Sequence, residues 1–201
     1  MRAIIATFFV LLAVSLGRHE ITITSEIMAN HELYFKKCLK WEGGYGNIAG
    51  DSGGATKYGV TIATWKMLAD DPDKNGDGVV DAEDMKLLTL DDAIAINKKF
   101  WDKIQGDKIE NQSVAMAIAD FLWNSGGIAV KKVQRILGLK QDGIFGKNTL
   151  AAVNAADPAE LHAKITDARR NYFYAIVRAK PITQKFLKGW LNRLNDFKYE
   201  G

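Results

Sequence analysis

The chain has a single cysteine, Cys38, in 201 residues, which excludes an intramolecular disulfide and any multi-cysteine zinc site. Its three histidines, at positions 19, 31 and 162, are too scattered for a His-based metal centre. Proline occurs only three times, and strand-type alternation is nearly absent, so the long apolar periodicities point to helix. No internal repeat and no low-complexity tract occurs. What is present is ordinary for a globular chain: 47% hydrophobic residues and a net charge of +3. That balance excludes a disordered or collagen-like protein. The length allows one large domain or two small ones, with enough chain to bury a core.

The net charge conceals an asymmetry. Residues 1–27 are neutral, residues 28–111 hold 11 Lys against 15 Asp+Glu, and residues 112–201 hold 14 Lys+Arg against 7 Asp+Glu. An acidic unit followed by a basic unit suggests two tasks. The basic half suits nucleic acid, a membrane surface or an anionic cell wall. No recognition motif accompanies the charge, so nucleic acid is set aside.

The segment Ala3–Gly17 is apolar and flanked by Arg2 and Arg18. It is too short to span a bilayer as a helix. With small residues near its end it reads as a secretory signal or a releasable membrane anchor. In that reading residues 1–27 direct export to the cell envelope, with transient membrane association. Met28 also reads as a start, and from there the protein stays cytoplasmic until a holin-like route releases it.

The expected fold class is mostly α, with a small loop or hairpin where Gly43–Gly59 concentrates seven of the 18 glycines. A first helix over 30–41 places Leu33, Tyr34, Cys38 and Trp41 at helical spacing. Thr61 caps a second helix to about Ala69, and a short helix follows at 82–88. Thr89 and Asp92 resemble a capping arrangement for a helix ending near Gln105. Helices over 112–124 and 128–137 are stopped by glycines, and another covers 147–154. Asp157-Pro158 opens a long helix to about Ala179. The last helix carries Phe186, Leu187, Trp190, Leu191 and Leu194 on one stripe. Trp65, Trp101, Trp123 and Trp190 lie on apolar helix faces and read as core. Cys38 reads as a small core residue and His162 as a helix surface residue.

Asp73 to Asp84 fits a twelve-residue EF-hand loop. Asp73, Asn75 and Asp77 take the first, third and fifth positions, and Gly78 makes the sharp turn. Val79 offers its carbonyl, Asp81 stands ninth and Asp84 twelfth. The departure is Asp84, where glutamate is usual. Seven of the 15 acids of residues 28–111 crowd into Asp70–Asp84, which favours a neutralising cation. The expectation is a structural calcium ion, with no cofactor for the chemistry.

Glu42 lies in Trp41-Glu42-Gly43-Gly44-Tyr45-Gly46, with an aromatic neighbour on each side and little local positive charge. Burial against rings disfavours ionisation, and a carboxyl that keeps its proton can act as a general acid. Nine residues on, Asp51 sits in a polar Gly-rich stretch and should stay ionised. Two carboxyls in unlike surroundings are what glycoside hydrolysis uses. Thr56 and Tyr45 could position water or sugar, and Tyr45 and Tyr58 are the candidates for stacking on sugars.

Glu42-Gly43-Gly44-Tyr45, followed by Asp51-x-Gly53-Gly54-Ala55-Thr56-x-x-Gly59-Val60-Thr61-Ile62-Ala63-Thr64-Trp65, resembles glycoside hydrolase family 108, the N-acetylmuramidases. The resemblance implies a lysozyme-like helical fold and a catalytic role for Glu42. The spacing from Glu42 to Asp51 to Thr56 is similar to that of phage lysozymes, but with the second gap one residue shorter, which loosens the roles of Asp51 and Thr56. The stretch from Ile118 to Asn154 resembles the peptidoglycan-binding domain that follows the catalytic part in this family. The implied organisation is a signal-like segment at 1–27, a muramidase part at 28–111 and a peptidoglycan-binding part at 112–201 packed on it. The implied activity is cleavage of the β-1,4 bond between N-acetylmuramic acid and N-acetylglucosamine in peptidoglycan glycan strands. The enzyme would be a monomer, serving as an endolysin or in wall remodelling. The alternative is a peptidoglycan-binding scaffold without turnover.

Overall fold

The computed structural model describes residues 28–46 and 54–201, so the apolar segment 1–27 lies outside the described residues. The described chain is mostly helical. Helix α1 (His31–Leu39) starts where the Asn30 side chain accepts the Glu32 and Leu33 amides. Its buried face is Tyr34, Phe35 and Cys38, so Tyr34 and Cys38 pack as expected from spacing while Phe35 joins them in place of Leu33 and Trp41. Leu33 faces solvent, and Trp41 follows the last helical residue, so neither lies on the packed face.

A two-residue turn joins β1 (Thr56–Lys57) to β2 (Val60–Thr61), which pair antiparallel with Thr56 opposite Thr61 and Lys57 opposite Val60. Both turn residues, Tyr58 and Gly59, have positive φ, as a tight hairpin with the right-handed strand twist requires. Thr61 then caps α2 (Ile62–Leu68) by accepting the Thr64 amide. Reciprocal capping boxes open α3 (Ala82–Leu87), through Asp81 and Asp84, and α4 (Leu90–Lys103), through Thr89 and Asp92.

Helix α5 (Gln112–Ser125) is the centre of the molecule. It is buried on almost every side, from Val114 to Leu122, because α4, α6 (Ile128–Ile136) and α8 (Pro158–Ala179) all pack against it. Asn111 caps its start and Gly126, at φ +60, ends it. Helix α7 (Lys147–Ala155) packs on α8, and α9 (Gln184–Asp196) folds back along α8.

The larger apolar cluster mixes Tyr34 and Cys38 of α1 with Trp101, Ile118, Phe121, Val133, Phe145, Ile165 and Phe197. The smaller one joins Phe35, Val60, Trp65, Met85, Leu88 and Ile96 under the hairpin. Phe100 and Trp123, edge to face at 4.9 Å, border both clusters. His162 departs from its expected place on the surface. It is buried, with Nε2 2.9 Å from the Phe197 carbonyl oxygen, because the chain after α9 returns across α8. Among the described residues no helix is long and apolar enough to cross a membrane.

Candidate active site

Glu42 stands in the turn that ends α1, where the Trp41 and Glu42 amides bond back to Cys38 and Leu39. The following glycines are stitched to the hairpin. The Tyr58 amide donates to the Gly43 carbonyl at 3.2 Å, and Gly46 and Thr56 exchange both backbone bonds at 2.8 Å. This brings Gly59 against the carboxylate. A Cβ on Gly59 would stand 2.2 Å from Glu42 Oε2, and its φ of +77° is itself one that side chains disfavour. Gly59 is therefore fixed by both backbone and space.

The Glu42 side chain is 10% exposed. Its two oxygens are treated differently. Oε1 accepts from Trp123 Nε1 at 2.9 Å, from Arg193 Nη1 at 2.8 Å and from the Cys38 thiol at 3.5 Å. No protein donor among the described residues reaches Oε2. One oxygen is held and the other is left for chemistry.

Arg193, from α9, is itself buried. Its Nη2 donates to Asp120 Oδ1 at 2.6 Å and to Cys38 Sγ at 3.2 Å, while its Nε lies 3.1 Å from Asp120 Oδ1. Asp120, fully buried in α5, also pairs with Arg169 Nη1 at 2.7 Å. Arg169 lies between the Phe121 and Phe173 rings, 5.8 Å and 5.4 Å from their centroids. Burial works against the Asp120 carboxylate, but the two guanidiniums outweigh it and hold its pKa below the usual range. Burial likewise works against the Arg193 charge, and Asp120 more than restores it. Cys38 is pushed the other way: burial raises its thiol far above the ordinary value, with Asp120 adding to the effect. The thiol is a packed donor, not a nucleophile. Two guanidiniums and Asp120 leave one net positive charge, and it faces Glu42 Oε1 through Arg193 Nη1.

These contacts correct the expected surroundings of Glu42. Little positive charge is expected at Glu42 from its sequence neighbours, yet Arg193 reaches it from 151 residues further on. The flanking aromatics do not enclose the carboxylate either. The Trp41 indole donates to Asp196 Oδ2 at 2.7 Å, and both Trp41 and Tyr45 are exposed. The ring that holds Glu42 is Trp123, expected only as core.

Of the other expected site residues, Asp51 lies outside the described residues. Thr56 Oγ1 donates to the Gly54 carbonyl at 3.3 Å. Tyr58 is half-buried in the hairpin turn, with Lys57 Nζ 5.6 Å from its ring centroid.

In the Asp73–Asp84 loop the carboxylates accept the loop's own amides. Asp73 takes those of Gly76 and Gly78, and Asp77 that of Val79. The Asn75 side-chain oxygen accepts the Asp77 amide, and Asp81 takes the Glu83 amide. Asp84 is buried and accepts from Lys74, Asn75 and Asp81. These amide bonds, that of Asp81 foremost, hold its pKa below the usual range. The donors are hard oxygens of the kind calcium takes. As arranged, no three His, Cys, Asp or Glu side chains among the described residues form a group that could hold a metal ion.

Glu42 is thus a largely buried carboxyl group, fixed through one oxygen and with no protein donor on the other among the described residues, inside a mostly helical fold; such a group suits acid–base chemistry. Residues 35–126 match the family described as Glycosyl hydrolase 108, and residues 128–195 match the Predicted Peptidoglycan domain. None of the curated proteins compared matches the chain. Eleven chains of solved structures do. One is the structure of Brucella abortus SagA, 32% identical, covering 83% of this chain and 90% of its own length, with a TM-score of 0.69. The chain belongs to the glycosyl hydrolase 108 family. It is a glycoside hydrolase, and peptidoglycan is its substrate or partner.

Asp120, Trp123, Arg193 and Gly59 form the setting of Glu42. Sequence reasoning gave none of them its role at the carboxylate. A signal for two of them existed. Asp120 is the one acid in the apolar run Val114–Leu122, and Arg193 interrupts the apolar stripe of α9 beside Leu194. Opposite charges on two apolar faces mark a buried pair.

Proposed function

We propose that the enzyme is a muramidase that hydrolyses the β-1,4 bond between N-acetylmuramic acid and N-acetylglucosamine, with Glu42 as general acid. The observation that carries this reading is the asymmetry of the Glu42 carboxylate. A proton on Oε2 passes to the glycosidic oxygen as the C–O bond breaks, and positive charge develops on the sugar. The negative charge that Glu42 gains meets Arg193, Trp123 and Cys38 already in place on Oε1, so no reorganisation accompanies the step. Asp51 is proposed as the second carboxylate, which stabilises the cationic sugar or orients water. Tyr45 and Tyr58, on the turn and hairpin beside Glu42, are proposed to contact the glycan. The site serves wall opening, as endolysin or remodelling enzyme, and the apolar segment 1–27 supports delivery to the envelope.

The test is product analysis. Digested peptidoglycan is reduced with borohydride and its fragments identified by mass spectrometry. Reduced N-acetylmuramic acid ends support the assignment. Reduced N-acetylglucosamine ends would overturn the bond, and binding to the wall without new ends would support the scaffold alternative.

We also propose that the Asp73–Asp84 loop binds calcium as a structural brace. The support is the residue order and its oxygen donors. Binding requires the carboxylates to converge, which their present amide bonds do not do. Calorimetric titration with calcium and melting with and without chelator test this. Absence of heat, or an unchanged melting temperature, overturns it.

A further inference from the structure

A cavity of about 660 Å³ opens where the two matched segments meet. That is the size of a small-ligand site. One wall comes from α2 and α4, through Thr64, Met67, Phe100 and Lys103. The other comes from the end of α5, the start of α6 and the loop at 143–145. Trp123 belongs to this lining as well as to the active site, because its indole N–H holds Glu42. Trp123 therefore borders both the cavity and the Glu42 carboxyl group.

Its chemistry is uneven. Phe100, Leu122, Val130, Ile144 and Phe145 make it mainly apolar, and Ile144 and Met67 stand 70% and 68% exposed at its edge. Lys103 brings the single cation. Its Nζ lies 5.0 Å from the Phe100 centroid, and it has no carboxylate partner among the described residues. A sugar, with hydroxyls on every side, needs more polar partners than Thr64, Asn124 and Lys103 supply. A short peptide with small apolar side chains and a free carboxylate matches the lining. The backbone at Gly126 and Gly127 is open to such a ligand. A Cβ at either position would meet nothing within 4 Å, and Gly127 has an ordinary helical φ of −59°. Gly127 stands at the N-cap of α6, and without side chains at 126 and 127 this edge of the cavity presents open backbone.

We propose that this cavity binds the peptide branch of the peptidoglycan strand, with Lys103 on its carboxylate and Ile144 against its apolar part. The proposal rests on the muramidase reading and adds a determinant of substrate choice to it. An enzyme built this way favours peptide-bearing glycan over bare glycan.

The experiment measures reducing-end release from intact peptidoglycan and from glycan strands freed of peptide by an amidase. Wild type, Lys103→Ala, Lys103→Arg and Ile144→Ser are compared, with melting temperature as the check on folding. Wild type should prefer the intact substrate. Lys103→Ala and Ile144→Ser should each lower the intact-to-stripped ratio of kcat/KM by about five- to tenfold, as loss of one charged or apolar contact implies, and Lys103→Arg should keep it. No preference in wild type, or an unchanged ratio in both variants, overturns the proposal. Wild type releasing no reducing ends from either substrate overturns the muramidase reading instead.

Discussion

At the scale of single residues, the site depends on which atoms crowd Glu42 and which stay away. Gly59 offers the cleanest test of crowding. Gly59→Ala puts a methyl group into the carboxylate and imposes strain at positive φ, at a cost of about 1–3 kcal/mol in stability. Activity should fall further than stability, since Glu42 itself must shift; urea melts beside rate assays on the same protein separate the two. Arg193 tests the opposite effect. Arg193→Met leaves Asp120 with Arg169 alone and removes a donor from Glu42 Oε1. Breaking a buried pair of this kind costs about 3–5 kcal/mol. Arg193→Lys, keeping the charge but not the forked geometry, should recover part of the stability and less of the kcat. A variant as stable and as fast as wild type would remove the network from the account.

At the scale of elements, local chemistry was largely legible. Thr61, the Thr89–Asp92 pair and Asp157 cap helices where the sequence placed them, because a cap is decided by neighbours within four residues. The buried face of α1 was legible only at Tyr34 and Cys38; Phe35 is buried because the second cluster, under the hairpin, packs on that side of the helix. The same holds for the candidate site. Glu42 was found from its local motif, while Arg193, Asp120 and Trp123 reach it only through the packing of α5 and α9. Helix α8 shows how such docking responds to pH. Burial lowers the pKa of His162 below its ordinary 6.5, and the bond to the Phe197 carbonyl only partly opposes this. The unfolded chain thus takes up a proton at a pH where the folded protein does not. The stabilisation is complete above about pH 6.5 and is lost progressively as pH falls from there through the lower folded value. His31, lowered by burial as well, acts in the same direction. The urea midpoint should therefore drop between pH 7 and pH 5, and His162→Asn should flatten that slope. An equal slope in the variant would contradict the assignment to His162.

At the scale of the whole molecule, the two family segments share one core and both contribute side chains to the surroundings of Glu42. The larger apolar cluster runs from Ala29 to Phe197, and Glu42 is held by a side chain from the last helix. Unfolding should therefore be a single transition, with tryptophan fluorescence and far-ultraviolet circular dichroism superimposing. Two separated transitions would mean that the segments fold independently. The change of charge sign along the chain does not mark a break in packing. α5, at the start of the basic half, belongs to the Glycosyl hydrolase 108 match and carries the acid that organises the basic residues around it. In the proposed reaction one carboxyl group, fixed at Oε1 and open at Oε2, delivers the proton that breaks the glycan. The most direct measurement is the rate of reducing-end release by wild type and Glu42→Gln on the same peptidoglycan. Glu42→Gln should lose about 100-fold or more in rate with wall binding retained; equal rates in the two proteins would remove Glu42 from the chemistry.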